Sequence, residues 1–108
     1  MTVSPGRAML LANIAHAEFL RWTLHYAKRQ GWRVKCDHDS RTEHWQSDSG
    51  WPDIFMVRGV RAVAMELKVG RDRMKRTQVE WKAALAATGV ETYVFRPTDE
   101  DEIRVVLT

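Results

Sequence analysis

Apolar residues return along the chain in two different periods, and the switches between them lay out its elements. From Asn13 to Gln30, Ala15, Phe19, Trp22 and Tyr26 recur at spacings of three and four, one face of an α-helix, and Gly31 ends the run. Trp32 to Cys36 reads as a short strand. Residues 37–51 are polar and without a period, long for a connection inside a compact domain and therefore a candidate functional loop. Ile54 to Val57 then alternate, Arg58-Gly59-Val60-Arg61 interrupts, and alternation resumes from Ala62 to Leu67. That is the pattern of a β-hairpin closed by a two-residue turn with glycine first. A second helix is expected through Gln78, Trp81, Leu85 and Ala86 to a stop at Gly89. Its start is either a capping box over Thr77 to Glu80 or a longer helix from near Met74. Val90 to Phe95 is a strand closed by Pro97, and a last helix is expected from Thr98. The Thr98 hydroxyl would cap it, with Asp99, Glu100, Asp101 and Glu102 at the positive end of its dipole.

The order is α-β-β-β-α-β-α, an antiparallel meander followed by a helical crossover to a parallel strand. This predicts an α/β fold with a mixed central sheet flanked by helices. The strand from Ala62 to Leu67 is apolar on both faces, with Val63, Met65 and Leu67 on one side and Ala62 and Ala64 on the other. Such a strand is central in its sheet, so Glu66 and Lys68 on the alanine face demand a chemical reason. Closing the hairpin at Gly59-Val60 sets Asp53, the last residue of Gly50-Trp51-Pro52-Asp53, directly opposite Glu66. Opposed residues have Cβ atoms about 4.5–5.5 Å apart. Two carboxylates there repel each other, and a hard divalent cation, Mg²⁺ or Mn²⁺, relieves the repulsion. Lys68 projects from the same face as Glu66.

At 108 residues the chain is expected to be one domain, 1–108, with a single modest core. No apolar run approaches the ~20 residues of a membrane span, and no signal pattern opens the sequence. Cys36 is the one cysteine and makes no internal disulfide, which together with those absences predicts a cytoplasmic protein with no membrane partner. The net charge of +3 is a weak pointer to a polyanion, but its distribution is stronger. Arg71, Arg73, Lys75 and Arg76 crowd beside the acids with only Asp72 against them, suited to DNA phosphate contacts. His38 and Arg41, in the long polar loop, are further candidates for substrate contact. The four histidines show no zinc-ligand spacing with Cys36, so His16 and His25 read as ordinary positions. Ser40, Ser47 and Ser49 lack a base-and-orienter arrangement. The tryptophans read as core or dimer contacts, with Trp45 and Trp51 near enough to the acids for base stacking.

Several short motifs follow one another at compatible spacing: Ala17-Glu18-Phe19, Gly31-Trp32, Asp39-Ser40-Arg41, Gly50 to Asp53, Glu66-Leu67-Lys68, Gln78 with Trp81, and Tyr93 to Pro97. In that order they resemble the PD-(D/E)xK nucleases and, within them, the virus-type replication-repair nuclease group, VRR-NUC. The resemblance implies a restriction-endonuclease-like core in which Asp53 and Glu66 bind the metal with the Leu67 carbonyl as a further ligand. It implies that Lys68 positions or activates the attacking water and stabilises charge on the phosphate. Glu18 matches the first-helix acid, which would hold a second metal or a metal-bound water, and Gln78 matches a glutamine that orders water or substrate. At Lys75 the chain departs from the Ser or Thr cap that family members often carry there. The implied activity is Mg²⁺- or Mn²⁺-dependent DNA endonuclease chemistry, an in-line attack of water on a phosphodiester. The implied partner is branched DNA such as a four-way (Holliday) junction, cut by a homodimer, and the implied origin is a phage or prophage. Two alternatives use the same residues: a nuclease that nicks flaps, single strands or duplex, and a non-catalytic DNA-binding accessory that keeps the fold.

Overall fold

The computed structural model describes residues 14–36 and 47–108. Within them the chain forms α1 (His16–Arg29), β1 (Arg33–Cys36), β2 (Ile54–Arg58), β3 (Arg61–Leu67), α2 (Arg76–Ala87), β4 (Glu91–Phe95), a 3-10 turn (Pro97–Asp99) and α3 (Glu100–Leu107). His38 and Arg41, with Asp39, Ser40, His44 and Trp45, lie outside the described residues. The strands form one sheet in the order β1-β2-β3-β4, antiparallel except for the β3–β4 pair, which is parallel across α2. This is the mixed sheet flanked by helices that the pattern predicts, with β3 paired on both sides.

The hairpin keeps the expected register: Ile54 pairs with Met65, Phe55 with Ala64 and Arg58 with Arg61. Gly59 has φ of +59° while Val60 stays at negative φ, a glycine-first turn whose twist matches that of the flanking strands. Val63, Met65 and Leu67 are buried among Ile54, Met56, Phe95, Phe19, Ile103 and Leu107, so α1 and α3 close one face of the sheet. Ala64, Glu66 and Lys68 are buried on the opposite face, where α2 lies. Small side chains at the alanine positions let that helix sit close above the end of β3.

Two helix expectations shift. On α1 the buried stripe is Phe19, Thr23 and Ala27, while Ala15 is exposed and caps the helix. Thr23 is tolerated inside because its hydroxyl donates to the Phe19 carbonyl at 2.8 Å. Trp22 and Tyr26 stand at the edge of the stripe, stacked at 5.7 Å, with the Arg104 guanidinium over both rings. At α3, Thr98 is exposed and does not cap the helix. Asp99 instead turns its carboxylate back to accept the Arg96 N–H at 2.7 Å, so a 3-10 turn precedes the helix and α3 begins at Glu100.

Arg58 ties the ends of α1 and α3 together. Its guanidinium donates to the carbonyls of Gln30 at 2.8 Å and Leu107 at 3.0 Å, and it lies 4.5 Å from the centre of the Trp32 ring. Trp32 in turn donates its indole N–H to the Leu107 carbonyl at 2.8 Å. These are the orphan carbonyls that helix ends leave behind, satisfied here by a cation. Arg58→Ala is expected to lower stability by about 2–4 kcal/mol, read as the urea midpoint at unchanged slope. A loss within 0.5 kcal/mol, the usual range for a free surface side chain, would remove this role. Among the described residues, no helix is long and apolar enough to cross a membrane.

Candidate active site

Asp53 immediately precedes β2, and one further step of the Ile54–Met65 register places it across from Glu66. Its Oδ2 accepts the Leu67 N–H at 2.8 Å, which anchors the carboxylate at the mouth of the hairpin. Glu66 is only 5% exposed. Its pKa is pushed up to about 8, first by burial, then by the negative charge of Asp53 and a hydrogen bond to it, with the Lys68 ammonium pulling the other way. The site therefore stores uncompensated negative charge.

Lys68 continues the parallel ladder past β3, donating its backbone N–H to the Phe95 carbonyl at 3.0 Å. Its side chain is 9% exposed, with Nζ 3.8 Å from Glu66 Oε1. Gln78 joins the two. Its Oε1 accepts from Lys68 Nζ at 2.9 Å and from the Lys75 backbone N–H at 2.8 Å, while its Nε2 donates to Glu66 Oε1 at 3.0 Å. Two donors converging on one oxygen fix which way the amide faces. Those bonds also answer where α2 starts. The helix begins at Arg76 with Lys75 as its N-cap, so Gln78 is the third helical residue and Thr77 is not the cap. A lysine side chain has no acceptor to offer the first turn, and Gln78 supplies the half of the capping box that remains.

The loop before Asp53 is pressed onto that first turn. Gly50 has φ of +102°, and a Cβ there would lie 2.4 Å from the Thr77 carbonyl and 2.8 Å from the Gln78 nitrogen. Trp51 packs edge-on against Trp81 at 4.9 Å and beside Phe55, and Trp81 donates to the Asp48 carbonyl at 3.2 Å. Asp53 and Gln78 thus belong to one packed unit. Gly50→Ala combines a disfavoured φ with a backbone clash and is expected to cost about 1–3 kcal/mol. It should also displace Gln78, seen as a shifted side-chain amide resonance; an unmoved resonance with full stability would contradict the contact.

Arg71, Arg73, Lys75 and Arg76 are all exposed. Arg76 pairs along the helix with Glu80 at 2.9 Å. Arg96 holds the loop beneath them, donating to the carbonyls of Gly70 and Asp72. Leu67 keeps its side chain in the core while its backbone lies between the acids. Glu18 is exposed on α1. Among the described residues, the α1 side chain that reaches Asp53 is His16, whose Nε2 is 3.4 Å from Asp53 Oδ2. Positions two apart on a helix point about 200° from each other, so His16 and Glu18 do not face the same group. No spacing rule marks His16, which is why its sequence reading is an ordinary position.

The donor chemistry fits a hard divalent cation. Two carboxylates on adjacent chain segments, one of them carrying a raised pKa, are the arrangement that such an ion neutralises. Among the described residues, no group of three or more His, Cys, Asp or Glu is gathered to hold a metal. An ion here would complete its shell with the Leu67 carbonyl and with solvent or substrate oxygens, as Mg²⁺ commonly does.

No protein-family model and no curated protein matches the chain, so the VRR-NUC resemblance rests on the motifs alone. Among solved structures it is similar to Hjc, a Holliday junction resolvase from the archaeal hyperthermophile Archaeoglobus fulgidus, with a TM-score of 0.52 at 22% identity. The match covers 71% of this chain and 63% of that one, so the chain spans less than two thirds of that protein's length. At this identity the likeness is one of fold, a restriction-endonuclease-like α/β core with its mixed sheet between helices.

Proposed function

We propose that this chain is a metal-dependent endodeoxyribonuclease of the VRR-NUC type that acts on branched DNA, with four-way junctions as the favoured substrate. The observation that carries this reading is the junction of Asp53, buried Glu66 and Lys68 through Gln78 at the end of a central strand. A surface ion pair needs no such enclosure, and burying two acids with one lysine is costly without a use for the charge. The shared fold with a Holliday junction resolvase supports the choice of DNA shape.

Asp53, Glu66 and the Leu67 carbonyl would hold Mg²⁺ or Mn²⁺, which would polarise the scissile phosphate and make a water nucleophilic near neutral pH. Lys68 places its ammonium where charge develops on the phosphate, and Gln78 holds that ammonium in line with Glu66. Arg71, Arg73, Lys75 and Arg76 take the DNA backbone on either side, joined by His38 and Arg41 of the long loop, and Glu18 contributes an acid from the first helix. A homodimer matches the two-fold symmetry of a junction and gives paired cuts. Residues 1–108 act as one such nuclease domain, of phage or prophage origin and working in the host cytoplasm.

The test is cleavage of a labelled four-way junction by purified protein with Mg²⁺ or Mn²⁺, beside flap, single-stranded and duplex substrates. Symmetric junction cuts that need the cation and vanish in Asp53→Asn are expected. Equal cutting of every substrate would replace junction selectivity with general nicking, and metal-independent binding without product would leave a DNA-binding accessory.

A further inference from the structure

We infer that His16 is a cation ligand: with Asp53 it offers a nitrogen–oxygen pair that biases the site toward transition metals such as Mn²⁺ or Co²⁺ and away from Mg²⁺. This rests on the cation site of the proposed function and adds its metal preference.

The geometry carries the inference. His16 Nε2 and Asp53 Oδ2 face each other at 3.4 Å. That is longer than the ~2.7–3.2 Å of an N–H···O hydrogen bond. It is close to the ~3.0–3.4 Å between two donor atoms that share one ion at about 2.0–2.1 Å from each. Asp53 Oδ2 already accepts the Leu67 N–H, which pins the oxygen while the imidazole approaches from its other side. The two side chains are 41% and 25% exposed, so an ion can enter from solvent, whereas Glu66 is drawn inward by Gln78 and Lys68. His16 is placed by rigid structure, since Phe19 and Thr23 on the same helix are fixed in the core. Charge balance points the same way. A second carboxylate in this place would add to the repulsion that already raises Glu66, and a neutral imidazole adds a donor without adding charge.

The chemical consequence follows from ligand type. Mg²⁺ takes oxygen donors and gains little from imidazole, whereas imidazole strengthens binding of first-row transition metals in the order Mn²⁺, Co²⁺, Ni²⁺. Glu18, exposed on another face of α1, would not substitute for it.

The experiment measures cation binding to the untagged, DNA-free full chain by calorimetry, with pulsed electron paramagnetic resonance of bound Mn²⁺ to detect a coordinated nitrogen. Wild type, His16→Ala, His16→Glu and Asp53→Asn are compared. Wild type is expected to show the nitrogen coupling, and His16→Ala to lose it while the Mn²⁺/Mg²⁺ affinity ratio falls about tenfold. His16→Glu should restore Mg²⁺ binding without the coupling. An unchanged ratio and coupling in His16→Ala, with binding still abolished by Asp53→Asn, would overturn the inference and leave the nuclease reading standing. Absence of any cation binding by wild type would overturn both.

Discussion

Junction cleavage by Lys68→Ala should fall by about 10²–10³-fold or more in single-turnover rate, with DNA affinity changed only a few-fold. The size follows from what this ammonium does: removing one pre-placed group that stabilises developing charge typically costs about 10²–10³ in rate. The split between rate and affinity follows from where it sits. Lys68 is 7% exposed and already bonded to Gln78, so it adds little to the basic surface formed by Arg71, Arg73, Lys75 and Arg76. Mutating Arg71 and Arg73 should produce the opposite split, weakening DNA binding and lowering its salt dependence by about one unit of slope for each phosphate left without its cation. Single-turnover cleavage at saturating protein, paired with binding titrations in Ca²⁺, separates the two. A Lys68→Ala protein that cuts within tenfold of wild type would remove Lys68 from the chemistry.

Metal-free protein should lose stability as pH rises from about 5 to 8, and a divalent cation should return it. Glu66 has a folded pKa near 8 against an ordinary value of 4.5, so across that window the folded chain holds a proton that the unfolded chain has released. Stability therefore falls with pH: the contribution of the protonated carboxyl is complete below the unfolded value and is gone once pH passes the folded one. Taken alone, a shift of this size corresponds to at most about 5 kcal/mol. Because Asp53 and Glu66 titrate as a pair, about 2–3 kcal/mol is the better expectation, on the order of 10 °C in melting temperature for a domain of this size. Glu66→Gln should flatten the profile and, in EDTA at pH 8, melt above wild type. Added Mn²⁺ should raise the wild-type melting temperature increasingly with pH and leave Glu66→Gln unmoved. A wild-type profile that rises from pH 5 to 8 in EDTA would contradict the charge pattern assigned to Glu66.

Much of this arrangement is legible in the chain before any coordinates. Strand alternation has a period of two, so once Gly59-Val60 is read as the turn, every pair in the hairpin is set and Asp53 must meet Glu66. The same period puts Lys68 on the Glu66 side, and the apolar character of both faces of β3 marks it as central. The helices are less legible because their periodicity says that a face is buried without saying which residue of a neighbouring pair leads it. On α1 the core took Phe19, Thr23 and Ala27, a rotation from the stripe through Ala15, Phe19, Trp22 and Tyr26, and that rotation aims His16 at Asp53. At α2 the cap preference of Thr77 yielded to a start one turn earlier, because Gln78 is bonded at once to the cap backbone, to Lys68 and to Glu66.

The sequence by itself determined the strand register, the acid pair with its lysine, and the basic run beside them, since each follows from local alternation and turn chemistry. Only the tertiary structure decided that His16 stands against Asp53, that Gln78 bridges Lys68 and Glu66, and that Gly50 seals the loop onto α2. These depend on the angular phase of a helix and on a backbone contact between segments far apart in the chain. Both are set by packing against a shared core rather than by any residue's own preference.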